Sequence, residues 1–209
     1  MQKKPVLRGR IHQLALIISF IFLILHLLYS LFTQLHLGTL IILTTQCILY
    51  GTSSYYHLTS FKHTRTERLA QRIDHMCIFL FIASVHSSMA LTLKLMHTKL
   101  ILMTTWMIFV LGATKIFLVE KVVEAIDVAL YIVHGMSITL FLKFESLRSV
   151  YRMVLSLGGL LYVLGGIVFG LEKPDLVPAV YGYHELFHTL TVLANVCFLI
   201  PIIMFYVSW

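Results

Sequence analysis

Apolar residues in this chain gather into runs separated by short clusters of polar and charged side chains. A helix needs ~20 apolar residues to cross the hydrocarbon core of a bilayer. Seven runs approach that length, at about 13–33, 38–56, 72–93, 100–119, 125–142, 151–171 and 181–207. The connections are too short to hold a second domain, and no low-complexity linker interrupts them. The pattern predicts one all-α domain over residues 1–209, a bundle of seven transmembrane helices.

Composition agrees. Of 209 residues, 59% are hydrophobic and 12% charged, and the mean hydropathy is +0.90. That leaves too little polar surface to coat a soluble globule. The net charge of +7 comes without a basic amphipathic or aromatic-basic pattern, so no nucleic-acid partner is expected. The positive charges instead report topology. Lys3, Lys4, Arg8, Arg10, Lys62, Arg65, Arg68, Arg72, Lys115, Lys121 and Lys173 fall on one side. Lys94, Lys99, Lys143, Arg148 and Arg152 fall on the other, which predicts a cytoplasmic N-terminus and an outside C-terminus. The first apolar run is too long for a signal-peptide core and has no small-residue cleavage site, so it reads as the first membrane helix. Cys47, Cys77 and Cys197 sit singly in apolar runs and are expected to be reduced.

The last run opens on Tyr183-His184-Glu185-Leu186-Phe187-His188. His184 and His188 are four apart, hence on one helix face, a spacing suited to holding one metal ion, Zn²⁺ first. A third ligand must come from elsewhere. Depth narrows the search, because the second helix ends near the interface from which the third and seventh leave. Ser53 and His57 at that end, Asp74 in the first turn of the third helix, and His184 and His188 all fall within roughly 10 Å of one interface. The bland alternative is a set of interfacial polar side chains, with Asp74 an N-terminal acid favoured by the helix dipole.

Other polar residues carry less. His26, His86 and His134 lie near the middle of helices and are expected to make interhelical hydrogen bonds, with a proton path or second metal site as the alternative. His12, His36, His63 and His97 read as interfacial. His75 points about 100° away from Asp74. Asp127 reads as a solvated helix start, although it lies on the correct side to support the site. The pairs Gly158-Gly159 and Gly165-Gly166, with Gly170, suggest close packing by the sixth helix.

These motifs resemble the hemolysin III family, a branch of the progestin and adipoQ receptor group in a superfamily with adiponectin receptors and alkaline ceramidases. The resemblance covers nearly the whole chain. It is carried by Lys4 to His12, Ser53-Ser54-Tyr55-Tyr56-His57, Arg72-Ile73-Asp74-His75, His184-Glu185-Leu186-Phe187-His188, Leu157 to Tyr162 and Glu172-Lys173-Pro174. It implies seven helices, zinc near the cytoplasmic face of a bacterial inner membrane, and His57, His184 and His188 as ligands with Asp74 and Ser53 beside a metal-bound water. One stretch departs: the family's Gly-Thr-Tyr-Thr-Pro-like run after the aspartate is here Ala83-Ser84-Val85-His86-Ser87-Ser88, without a proline to kink the helix.

Three histidines leave zinc an open fourth position, the pattern of catalytic sites. Asp74 would serve as general base, and Ser53 would orient water or help bind an oxyanion. A site at the interface meets lipid linkages, so hydrolysis of a lipid amide or ester, ceramide-like by analogy, is the leading expectation. Three alternatives stand beside it. Read as HExxH, the motif would make an intramembrane protease with Glu185 as base, although adjacent helix positions diverge by about 100°. A non-enzymatic receptor or sensor would use zinc only to lock helices 2 and 7. The family name suggests a pore-forming cytolysin.

Overall fold

The computed structural model describes residues 5–119, 124–141 and 147–207. Among these, seven α-helices follow one another: α1 (Arg10–Ser30), α2 (Leu37–Leu58), α3 (Thr64–Thr92), α4 (Thr98–Leu118), α5 (Glu124–Met136), α6 (Ser149–Leu171) and α7 (Tyr183–Val207). The β structure of the described residues is one isolated bridge between Val177 and Tyr181. Five of the helices, α1, α3, α4, α6 and α7, are long and apolar enough to cross a membrane. Their outward faces are greasy, with Leu14, Ile17, Ile21, Leu25 and Leu28 exposed on α1 and Met103, Met107, Val110 and Leu111 on α4. In water such a surface would aggregate; in lipid it is solvated.

Two helices depart from that standard for identifiable reasons. The polar residues of α2, among them Thr39, Gln46, Ser53, Ser54 and His57, are buried, so its low apolarity reflects an inner face. His36 caps it by accepting from the Thr39 amide. The fifth helix is shorter than its apolar run. It gives way to a 3₁₀ turn at Ser137–Leu140, and residue 142 lies outside the described residues. There Ser137 donates to the His134 carbonyl, Thr139 to that of Met136, and the Gly135 carbonyl is engaged by His86. Side-chain competition at a glycine is a recognised way to end an α-helix.

The third helix, conversely, starts at Thr64 instead of near Arg72. Its first two turns are polar, so a rule based on apolar length cannot see them. Glu67 occupies the first turn, where an acid suits the helix dipole. Asp74 therefore sits ten residues in and is buried, not an N-terminal acid.

α3 is the central helix, packed against α2, α4, α5 and α7. The stretch Ala83 to Ser88 that lacks a proline is buried throughout, and α3 runs through it unbroken. Its small side chains admit close neighbours: Ser88 donates to the Gly38 carbonyl of α2 at 2.8 Å. α6 uses its glycines on two faces. Gly158 and Gly165 abut α7, where a Cβ on Gly158 would meet the Cys197 Cβ at 3.0 Å; Gly166 abuts Ile132 and Val128 of α5. Gly159 and Gly170 have open space before them, and Gly159 lines an internal cavity.

That cavity, about 430 Å³, lies among α2, α3, α5, α6 and α7. At one end it touches His12, Ser53, Asp74, His184 and His188, and farther along it touches His86, Met89 and Thr139. From Asp74 to His86 the axis of α3 advances about 18 Å. Most of the wall between is apolar, including Ile78, Phe81, Ile82, Val85 and Leu155.

Gly158→Val is expected to destabilise the α6–α7 contact by about 1–3 kcal/mol by overpacking. Gly159→Ala should leave stability within about 0.5 kcal/mol of the parent. Thermal melting of the two variants in the same detergent checks the contrast.

Candidate metal centre

His57 stands on the last turn of α2, and His184 and His188 on the first two turns of α7. One ligand nitrogen from each lies within 4.8 Å of the others. The Nε2 atoms of His57 and His184 are 3.2 Å apart. Two imidazoles bound to a tetrahedral zinc at ~2.0–2.1 Å hold their nitrogens roughly 3.3 Å apart, so this pair is already spaced for one ion. Three imidazole nitrogens, two from buried residues and one from a half-buried one, are a donor set suited to zinc. Asp74 closes one side, with Oδ2 3.8 Å from His57 Nε2, and Ser53 lies beside it.

Local sequence explains why α7 begins where its histidines are useful. Gly182 precedes the helix, and its amide donates to Oε2 of Glu185 at 2.9 Å, half of a capping box. The other carboxylate oxygen of Glu185 pairs with Arg8 Nε. Glu185 is 1% exposed, with both oxygens engaged away from the histidine triad. The HExxH glutamate is thus the acid that fixes the start of α7.

The segment before α1 crosses this end of the bundle. The amides of Val6 and Leu7 donate to the carbonyls of Ala179 and Val180, and Arg8 reaches Glu185. Gly9 then turns the chain into α1 with φ +76°, and a Cβ there would lie 2.8 Å from the His57 Cβ. Only glycine both adopts that conformation readily and clears the ligand-bearing turn.

Two expectations are corrected here. His12 is not interfacial: it is buried, and its ring stacks on His188 with centroids 3.8 Å apart. The depth argument that gathered Ser53, His57 and Asp74 applies equally to the first turn of α1, which leaves from the same end. Asp127 is not a solvated helix start; it is 3% exposed, paired with Lys115, and lines the cavity. A carboxylate in that position needs a cation, and α4 delivers one from its last turn.

His86 and His134 behave as interhelical links. His86 Nδ1 is 3.1 Å from the Thr105 hydroxyl and its Nε2 3.2 Å from the Gly135 carbonyl; Thr105 is also 2.9 Å from His134 Nε2. These contacts tie α3, α4 and α5. His26 is buried in α1, away from the triad. The three cysteines are free.

The model of the haemolysin-III related family matches residues 1–199. The chain belongs to the haemolysin III family. A Bacillus cereus relative, hemolysin-3, is 32% identical over 130 residues, 60% of this chain and 58% of that protein. The chain thus aligns with less than two thirds of that haemolysin III relative. No solved structure matches significantly.

Removing either partner of the Arg8–Glu185 pair strands a buried charge or cap. Glu185→Gln and Arg8→Met are each expected to cost about 1–3 kcal/mol. A double-mutant cycle on thermal stability should return a coupling of at least about 0.5 kcal/mol; additive losses would mean that the pair holds nothing together.

Proposed function

We propose that this haemolysin III family member is a membrane-embedded, zinc-dependent hydrolase of a lipid amide or ester. His57, His184 and His188 would hold Zn²⁺ near the cytoplasmic face, the side the Lys and Arg asymmetry favours, of what the family resemblance makes a bacterial inner membrane. The observation that carries the reading is the meeting of three imidazoles and a buried carboxylate at one end of a long apolar cavity. A structural ion needs no such cavity, and a lipid hydrolase does.

Zinc bound there supplies Lewis acidity and makes hydroxide accessible near neutral pH. The chain supplies the rest. The Asp74 carboxylate, beside Ser53 and 3.8 Å from His57, is the acid that faces the triad among the described residues, Glu185 being tied to Arg8 and Gly182. It accepts the proton of an attacking water and returns it to the leaving amine or alcohol. The Ser53 hydroxyl orients that water or donates to the developing oxyanion. The apolar walls between Ile78 and Val85 on α3 bind an acyl chain and exclude bulk water from the reacting carbonyl.

The test is turnover. Purified protein reconstituted with total bacterial lipid should release fatty acid, read by mass spectrometry. Release should stop with a zinc chelator and fall at least ~100-fold in Asp74→Asn, the scale of a lost general base. Glu185→Gln should keep most turnover, which separates this mechanism from the HExxH protease. Chelator-sensitive folding without any turnover would favour the receptor, in which zinc only joins α2 to α7. Undiminished release by Asp74→Asn would overturn the proposed mechanism.

A further inference from the structure

His12 presents an unsolved hydrogen-bonding problem. It is 5% exposed, and neither Nδ1 nor Nε2 has a hydrogen-bond partner among the described residues. A buried polar group left unsatisfied is costly, so such groups normally have a partner, and here none comes from the described residues. The ring is held face-on against His188, with an interplanar angle of 26°, and lies 5.0 Å from the ring of Tyr50. Stacking spends the faces of the imidazole and leaves its edge, which bears both nitrogens, for other contacts. His12 lines the cavity beside Ser53, Asp74 and His184. It is not one of the three histidines whose nitrogens converge, so it is poorly placed to be a fourth ligand.

Its ring neighbour Tyr50 is already tied into the bundle. Asn195 Nδ2 donates to the Tyr50 oxygen at 2.6 Å, while Asn195 Oδ1 accepts from Tyr162. An amide nitrogen can only donate, so the Tyr50 oxygen is the acceptor and its own proton must be directed elsewhere. Tyr50 is 2% exposed. The edge of His12 thus offers the cavity one donor and one acceptor. Apolar acyl chains use neither.

We propose that His12 is a specificity-determining residue that binds a hydrogen-bonding group of the lipid next to the linkage held at the triad. The inference rests on the hydrolase reading and narrows its substrate class. The preferred lipid carries a hydroxyl or amide adjacent to its scissile carbonyl, and plain fatty esters and amides are poor ligands. A polar group one or two bonds from that carbonyl can meet the edge of His12 while the carbonyl faces the triad and the chain fills the cavity.

Two probes separate the possibilities: a long-chain fatty hydroxamate, which can chelate zinc, and its 2-hydroxy analogue. Their affinities are compared by calorimetry on the full chain in detergent micelles, alongside zinc content. Wild type should bind the 2-hydroxy probe about tenfold more tightly, the scale of one to two hydrogen bonds. His12→Phe, which keeps an aromatic ring against His188, should retain zinc and bind both probes alike. His12→Gln, which keeps a donor and an acceptor, should retain most of the preference, and its loss there counts against the proposal even where the phenylalanine variant does not fold. Tight binding of both probes without preference in wild type, or a preference that survives in His12→Phe, overturns this inference alone. If neither probe binds wild type, the metal reading and this inference fall together.

Discussion

A polar group buried in a bundle whose outer face is lipid-like has no water to turn to and must find its partner inside. That constraint orders this structure. His86 resolves it through Thr105 and the Gly135 carbonyl, and His134 does so at Nε2 through Thr105, which ties α3, α4 and α5 at mid-depth. Asp127 resolves it with Lys115, and Asn195 with Tyr50 and Tyr162. The three histidines at the end of α2 and the start of α7 turn to one another, with the Nε2 atoms of His57 and His184 3.2 Å apart. Their nitrogens face a common point instead of separate acceptors, and a shared cation is the partner that arrangement suits.

Holding that point in place falls to residues around the three histidines. The chain before α1 lies across the loop leading into α7, Arg8 grips Glu185, and Gly9 passes against the turn of α2 that carries His57. The N-terminal segment thereby joins the two helices that carry the triad. Glu185 serves two tasks at once, capping α7 through the Gly182 amide and anchoring Arg8. An acid between two histidines is easily taken for a base. Here its value is mechanical, because it sets the register in which His184 and His188 face His57.

Much of this was legible in the sequence because membrane helices announce themselves by length and apolarity, and because the i, i+4 spacing of His184 and His188 is a local fact. Depth along the spans brought Ser53, His57 and Asp74 to the right level without any contact being known. What stayed hidden depends on rotation and on non-local pairing. Apolar length says nothing of the polar first turns of α3, so Asp74 looked like an N-terminal acid. The sequence shows Lys115 and Asp127 as two isolated charges on different helices; only the packing of α4 against α5 makes them a pair. Arg8 was read as a topology signal, and His12 as interfacial, since nothing in a linear reading says that α1 turns that edge toward α7. The shortened α5 was masked by an apolar run that continues past the point where hydroxyl side chains take over its carbonyls.

The central claim is that a metal ion joins α2 to α7 through one histidine from the former and two from the latter. Elemental analysis of zinc per chain tests it directly, on protein purified without added metal or chelator, for the parent and for His57→Ala. About one zinc per chain in the parent, and a sharply reduced content in the variant, is the expected result. A parent devoid of zinc, or a His57→Ala protein that retains it in full, would contradict the account.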